Sequence, residues 1–215
     1  MDKYKKIEQL YKKKKDMSVF LADENDYFYL YHLSPIRRNI LDWFDFDKDA
    51  SVLEIGAGVG VITEMLLQKC KTVTACEASE RKRDILMKRF KKDDQELEIV
   101  SGLKDLTEAG NKGKFDYITM IDNFSIDLVK ASASLLSDKG KLIIATENKF
   151  AVQTWSIRSS EDMYTLEDIT GILETEGLEV SQTYYPIPDH LLPLEIYSEA
   201  VTESGSFLVI AEKKD

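Results

Sequence analysis

The chain has 215 residues, 43% of them apolar and 10% aromatic, which suits one α/β domain with a buried core and is not the composition of a disordered chain. Its formal net charge is −10, a poor balance for a general nucleic-acid binder, because phosphate affinity rests on clustered Lys and Arg. The charge is uneven: residues 1–15 hold seven lysines against Asp2 and Glu8, a local +5 that leaves −15 on the remainder.

In chain order, the first element is this basic segment. Tyr4, Ile7, Leu10 and Tyr11 fall on one helical face, so the spacing predicts a helix packed by that face. Its lysines could also meet an anionic lipid surface, which allows peripheral membrane contact, or a phosphorylated substrate. No apolar run follows it, so it is not a secretory signal. No stretch approaches the ~18 apolar residues of a membrane span, and the expected location is cytoplasmic. Residues 20–31 are rich in Tyr and Phe and read as a short helix or a lid over a ligand. Ser34-Pro35 reads as an N-cap followed by a first-turn proline, opening a helix to about Phe44. Residues 1–45 are thus expected to form a helical cap and 46–215 the main domain.

From residue 51, strands alternate with helices. Strands are expected at 51–55, 72–76, 97–100, 115–121, 140–146, 178–185 and 206–212. Helices are expected at 61–69, from the Ser79 cap to about Phe90, at 126–136, and from Thr165, with Asp168 at the capping-box position. Cys70 and Cys76 lie in apolar stretches and read as small core residues. With only two histidines there is no zinc spacing, and no metal is expected. This alternation implies an α/β, doubly wound, mostly parallel sheet of seven strands with helices on both faces. The 186–203 stretch carries Pro186, Pro188 and Pro193 and reads as a loop. Without a crossover helix there, the last strand joins antiparallel.

In open sheets of this kind, ligands bind beyond the carboxyl ends of the strands, where the strand order switches. The first strand ends in Glu54-Ile55, followed by Gly56-Ala57-Gly58-Val59-Gly60. Glycines permit a tight turn and close approach of a ligand to backbone, and the next helix aims its N–H groups there. A dinucleotide turn wants its third glycine three residues after the second, where Val61 stands. A carboxylate two residues before the first glycine also suits a cationic amino-acid ligand better than a pyrophosphate. Glu77 closes the second strand 23 residues after Glu54 and can accept from two ribose hydroxyls.

The order E-x-G-x-G-x-G after Val52-Leu53 resembles motif I of class I S-adenosylmethionine-dependent methyltransferases, whose Rossmann-like sheet has the same reversed last strand. The resemblance implies S-adenosyl-L-methionine as cofactor, with Glu54, Gly56, Ala57, Gly58, Gly60, Glu77 and Ala78 at its site. It further implies adenine at Gly102 and Leu103, and the methionine end at Ile121 and Asp122. Asp122 could instead be a helix cap or a loop acid.

Two families resemble the chain more closely. Residues 52–90 look like ribosomal-RNA adenine dimethylases. Those enzymes need an Asn-Leu-Pro-Tyr type of element after strand four to grip a flipped adenine, and this chain has Ile121-Asp122-Asn123-Phe124. The second resemblance covers residues 30–200, through Tyr31-His32-Leu33-Ser34-Pro35-Ile36-Arg37, Glu147-Asn148-Lys149 and Tyr184-Tyr185-Pro186-Ile187-Pro188-Asp189-His190. It is to methyltransferases encoded with bacterial capsular and surface-polysaccharide glycosyltransferases. It implies O-methylation of a sugar, free or lipid-linked, by a chain acting alone or beside a glycosyltransferase partner. The chain departs from that group at Lys149 and His190. A domain that binds the cofactor without catalysis, as partner of a glycosyltransferase, is a further reading.

A sugar hydroxyl has a high pKa, so transfer calls for a base. His190 lies in the proline-rich loop, His32 in the segment before the glycine turn, and Glu147 at the ligand end of strand five. These are the catalytic candidates. Each also has a structural alternative: packing for the histidines, and fixing of Lys149 or a turn for Glu147.

Overall fold

The computed structural model describes residues 2–24, 26–90, 96–151, 163–201 and 204–214. The N-terminal part contains α1 (Lys3–Lys12), α2 (Met17–Asp23), α3 (Tyr27–Leu33), a 3-10 segment (Pro35–Arg38) and α4 (Asn39–Asp42). Then follow β1 (Ser51–Ile55), α5 (Val61–Lys69), β2 (Thr72–Cys76), α6 (Glu80–Arg89), β3 (Leu97–Val100), α7 (Leu103–Glu108) and β4 (Phe115–Ile121). The remainder is α8 (Ile126–Leu135), β5 (Leu136–Glu147), α9 (Leu166–Thr175), β6 (Leu178–Ile187), β7 (Glu195–Tyr197) and β8 (Ser206–Lys213).

These strands make one sheet in the order β3-β2-β1-β4-β5-β8-β6-β7. Strands β1 to β5 run parallel, and β8 enters antiparallel between β5 and β6. The sheet therefore has eight strands, not the expected seven. The extra one, β7, lies in the stretch expected to be loop and pairs antiparallel with the end of β6, Tyr185 opposite Tyr197. Three residues are too few for an alternating pattern to show in a sequence. Helix α7 was invisible for the same reason: its six residues bury only Leu103 and Leu106. The helix expected from Pro35 to Phe44 is divided, a 3-10 turn capped by Ser34 running into the short α4. The Thr165 capping box forms as its spacing predicts.

In the central strands β1, β4, β5 and β8, residues alternate between two apolar layers, so both faces are covered. In β8, Phe207, Val209 and Ala211 pack with Leu135, Ile169 and Leu173 of α8 and α9. Leu208 and Ile210 face the other way, with Ile40 and Leu41 of α4 and Ile62, Met65 and Leu66 of α5. Helices α1 and α3 bury Ile7, Leu10, Tyr29 and Leu33 against Val59 of the glycine turn and Ile85 of α6. The packed amphipathic reading of α1 holds, and its face fixes the N-terminal helices over the turn. Both cysteines are buried, and burial pushes their thiols up, to about 12 for Cys70 and about 11 for Cys76. No helix among the described residues is long and apolar enough to cross a membrane.

Candidate functional site

The strand order reverses between β1 and β4, and at their carboxyl ends lies a cavity of about 370 Å³. That is within the usual range for a small-molecule site. Its floor is the glycine turn. Gly56, Gly58 and Gly60 have φ of +81°, +61° and +90°, a region that costs side-chain-bearing residues energy. A Cβ on Gly56 would come within 2.0 Å of the Asn123 amide, and one on Gly60 within 2.5 Å of the Phe90 ring. At Gly58 a Cβ would meet nothing closer than 4.0 Å. The open space above Gly58 is where a ligand can touch backbone.

Glu77 leaves the end of β2 beside that space and is 6% exposed. Its Oε2 accepts from the Gly58 N–H at 2.8 Å and its Oε1 from the Ser79 N–H at 2.8 Å. A carboxylate has about four acceptor positions, so each oxygen keeps one for a ligand hydroxyl. Glu54, by contrast, turns inward. It is fully buried, accepts from the Thr63 hydroxyl at 2.6 Å and does not line the cavity. Burial pushes its carboxyl up to about 7, against the opposing pull of the Thr63 hydrogen bond and of Arg37 and Arg89.

Of the residues expected around the cofactor, Gly56, Gly58, Glu77, Ala78, Gly102, Leu103 and Asp122 line the cavity. Glu54, Ala57, Gly60 and Ile121 do not. Ala57 packs with Ala75 and Leu86, Gly60 lies against Phe90, and Ile121 is in the core under α4 and α5. Glu54, Ala57 and Gly60 thus support the turn from behind, and Ile121 anchors the end of β4 in the core.

At the far wall Asp122 adopts a left-handed φ of +63°, and such strain in a residue with a side chain tends to mark function. Its Oδ2 accepts from the Tyr31 hydroxyl at 3.0 Å and its Oδ1 lies 3.3 Å from His190 Nε2. The Ser206 hydroxyl lies 2.6 Å from His190 Nδ1 and accepts from the His190 backbone N–H at 3.1 Å. An ionised carboxylate can only accept, so Nε2–H donates to Asp122, and Nδ1 is engaged by the Ser206 hydroxyl. Burial pushes the Asp122 carboxyl up, but the His190 hydrogen bond and charge, the Tyr31 hydroxyl and Arg37 outweigh it and hold the group below the usual range. Arg37 lines the same wall, donates to the Tyr31 carbonyl and lies 4.2 Å over the Tyr31 ring.

The three base candidates separate. His190 is 1% exposed, has both ring nitrogens engaged and lies behind Asp122, outside the cavity lining. Both ring nitrogens are thus occupied, which leaves no free lone pair facing the cavity. His32 does line the cavity, but its Nε2 meets the Tyr4 hydroxyl at 3.3 Å and its Nδ1 is buried with no partner. Burial, helped by Lys82 and Arg37, pushes its pKa down to about 4, so it is neutral at pH 7. Glu147 ends β5, half-buried and opposite Ser206, and like His190 it is outside the cavity lining. Tyr31, Arg37 and Asn123 belong to the site and were not among the expected residues. The Tyr31 to Arg37 segment stands out in the sequence as one of the three that carry the second resemblance, but no role for Tyr31 or Arg37 follows from it.

A family model described as a methyltransferase domain matches residues 29–183. The chain is 21% identical over 218 positions to the ribosomal RNA small subunit methyltransferase A of Mesoplasma florum, covering 94% of this chain and 78% of that protein. Among solved structures, it is similar to a TehB-like SAM-dependent methyltransferase from Corynebacterium glutamicum: TM-score 0.59, 16% identity, covering 96% and 98% of the two chains. It is also similar to magnesium protoporphyrin IX methyltransferase from Synechocystis, solved with bound SAH: TM-score 0.61, 14% identity, covering 89% of each chain. At such identities the structural likeness speaks for the fold.

Proposed function

Because the chain belongs to the methyltransferase-domain family and is an S-adenosylmethionine-dependent methyltransferase, we propose that it methylates a hydroxyl of a sugar, free or lipid-linked, in the making of a surface polysaccharide. The cavity fits the cofactor: a glycine floor with open space above Gly58, and a carboxylate with spare acceptor positions at Glu77. Bound there, S-adenosylmethionine supplies a methyl group on a sulfonium centre. In this reading Glu77 takes the ribose hydroxyls, Leu103 and Leu128 flank adenine, Asp122 takes the ammonium and Arg37 the carboxylate. His190 and Tyr31 keep Asp122 ionised and aimed. What the protein adds beyond binding is alignment and exclusion of water.

The observation that carries the acceptor class is the turn after β4. It presents Asp122, an ionised carboxylate held from two sides. The turn, Ile121-Asp122-Asn123-Phe124, lacks the proline and tyrosine of the element with which the RNA adenine dimethylases grip a flipped adenine. A net charge of −10 is also a poor overall balance for binding RNA. Glu147 is the base in this reading, at the end of the strand whose Ala145 carbonyl receives the Asp122 N–H. An attacking hydroxyl grows strongly acidic as its bond to methyl forms, so a carboxylate beside the acceptor suffices to take the proton; Glu147 lies outside the cofactor lining, and this reading seats the acceptor between it and the cavity.

The test is transfer of labelled methyl from S-adenosylmethionine to sugar nucleotides, lipid-linked sugars and small-subunit ribosomal RNA. Transfer to a sugar is expected, and Glu147→Gln should slow it about 100-fold with S-adenosylhomocysteine binding unchanged. The match to a ribosomal-RNA methyltransferase favours the second reading, and labelling of RNA adenine alone would establish that one instead. Tight S-adenosylhomocysteine binding with no transfer to any acceptor would favour a cofactor-binding partner of a glycosyltransferase.

A further inference from the structure

A second cavity, of about 380 Å³, opens on the other side of the segment that carries Arg37. It lies between the end of α1, the 3-10 segment and helices α5 and α6, and its lining holds four cations, Lys14, Lys15, Arg38 and Arg89, against one carboxylate, Glu64. The single oxygen Glu64 Oε2 serves both arginines, pairing with Arg38 and lying 2.7 Å from Arg89 Nη2. One carboxylate between two guanidiniums leaves positive charge over, and the Arg38 Nε is buried without a partner. Lys14 and Lys15 stand exposed at the rim, Lys14 in a left-handed backbone of φ +49°. The Tyr11 ring packs on the Arg89 guanidinium at 4.4 Å.

This excess of positive charge occurs in a chain whose net charge is −10, and none of it is needed to bind the cofactor. Asp16, next to Lys15, is not part of the lining; its Oδ1 caps α2 by accepting from the Ser18 and Val19 N–H groups, and even with its charge counted the cations exceed the carboxylates by two. Guanidinium forks and ammonium groups converging on a concave surface fit a multiply charged tetrahedral oxyanion, which offers each of them an acceptor oxygen. We infer that this cavity is a binding site for a phosphate-bearing ligand, a phosphomonoester or diphosphate, separate from the cofactor cavity. Arg89 also donates to the Val59 carbonyl at 2.9 Å, so one wall of the site is tied to the glycine turn. The ligand's phosphate could belong to a soluble molecule or to a lipid headgroup, and the same groups would hold either.

The experiment is calorimetric titration of the full chain, saturated with S-adenosylhomocysteine, with inorganic pyrophosphate. One pyrophosphate should bind with the cofactor cavity filled. Its affinity should fall about tenfold in Lys14→Gln/Lys15→Gln, whose two positions are solvent-exposed, and further in Arg38→Gln. No binding at millimolar pyrophosphate, displacement by S-adenosylhomocysteine, or unchanged affinity in the double lysine variant would overturn the assignment. Flotation with phosphatidylcholine vesicles containing phosphatidic acid separates the sources. Co-flotation that pyrophosphate reverses and the double variant lacks assigns the headgroup. Pyrophosphate binding without co-flotation assigns a soluble ligand. Co-flotation without pyrophosphate binding marks a diffuse surface effect and overturns the site.

Discussion

The two walls of the cofactor cavity are built differently. On the β1–β2 side, the contacts are local: Gly58 and Glu77 are 19 positions apart, and Glu54 and Thr63 are nine apart. On the β4 side, Asp122 is held by Tyr31, 91 positions before it, and by His190, 68 positions after it. The first wall is backbone and one carboxylate, set by a turn. The second is a side-chain relay gathered from four segments, and it stands only if all of them are docked. Damage to the first wall should act on binding locally. Damage to the second should act on folding and binding together.

The largest effect is expected at the first wall. Glu77→Ala removes the acceptor for two backbone N–H groups and for the ligand's hydroxyls. Hydrogen bonds to a charged group are worth about 1.5–3 kcal/mol each, so affinity for S-adenosylhomocysteine should fall about 100-fold or more by calorimetry. A loss under about tenfold would show that the turn does not hold the ribose.

Glu54 sharpens the comparison from the same strand. Its folded pKa, about 7, lies above the ordinary 4.5. Such a group contributes stability that is full below pH 4.5 and is lost as the pH rises through about 7. Glu54→Gln should remove that slope and make the protein more stable than the parent at pH 8, by at most about 3 kcal/mol. Denaturant unfolding at pH 5 and pH 8 reads it, and an unchanged slope in the variant would assign the pH dependence elsewhere.

The contrast in sequence separation also explains what was legible. The glycine turn, Glu77 and the capping box at Thr165 and Asp168 depend on neighbours within one βαβ unit or one helix turn, and spacing alone exposes them. His190 looked like a base because it stands in a proline-rich loop beside Asp189. Only the folded chain brings it against Ser206 and Asp122, and that occupies both nitrogens. Glu54 looked like a ligand because the motif spells it there, yet strand alternation from Ile55 turns its side chain inward to Thr63. Strand β7 and helix α7 escaped because three and six residues carry no measurable period.

At the second wall, His190→Gln tests whether the relay is structural. The Asp122 carboxyl would lose its strongest stabilising partner while burial still opposes its charge. Because the folded pKa of Asp122 is depressed, its contribution exists above the ordinary 3.8 and is lost as the pH falls through the folded value. The variant should lose about 2 kcal/mol at pH 7, and the loss should shrink as the pH drops below 4. A variant as stable as the parent, with methyl transfer abolished, would restore His190 as a catalytic residue.

Tyr31→Phe is the mildest break and the most discriminating. The substitution keeps the ring that lies under Arg37 and deletes only the hydroxyl donated to Asp122. Burial already pushes that hydroxyl up to about 12, so it is protonated at any working pH and its role is donation. Stability should change by about 1 kcal/mol or less. If the α3 segment forms part of the methionine end of the site, S-adenosylhomocysteine affinity should drop about threefold to tenfold, because Asp122 becomes freer to turn from the ammonium. Unchanged affinity with Asp122→Asn still damaging would mean that Asp122 alone holds the amino acid and that Tyr31 serves only to seat α3. The two outcomes decide whether the N-terminal helices are part of the cofactor site or only its cover.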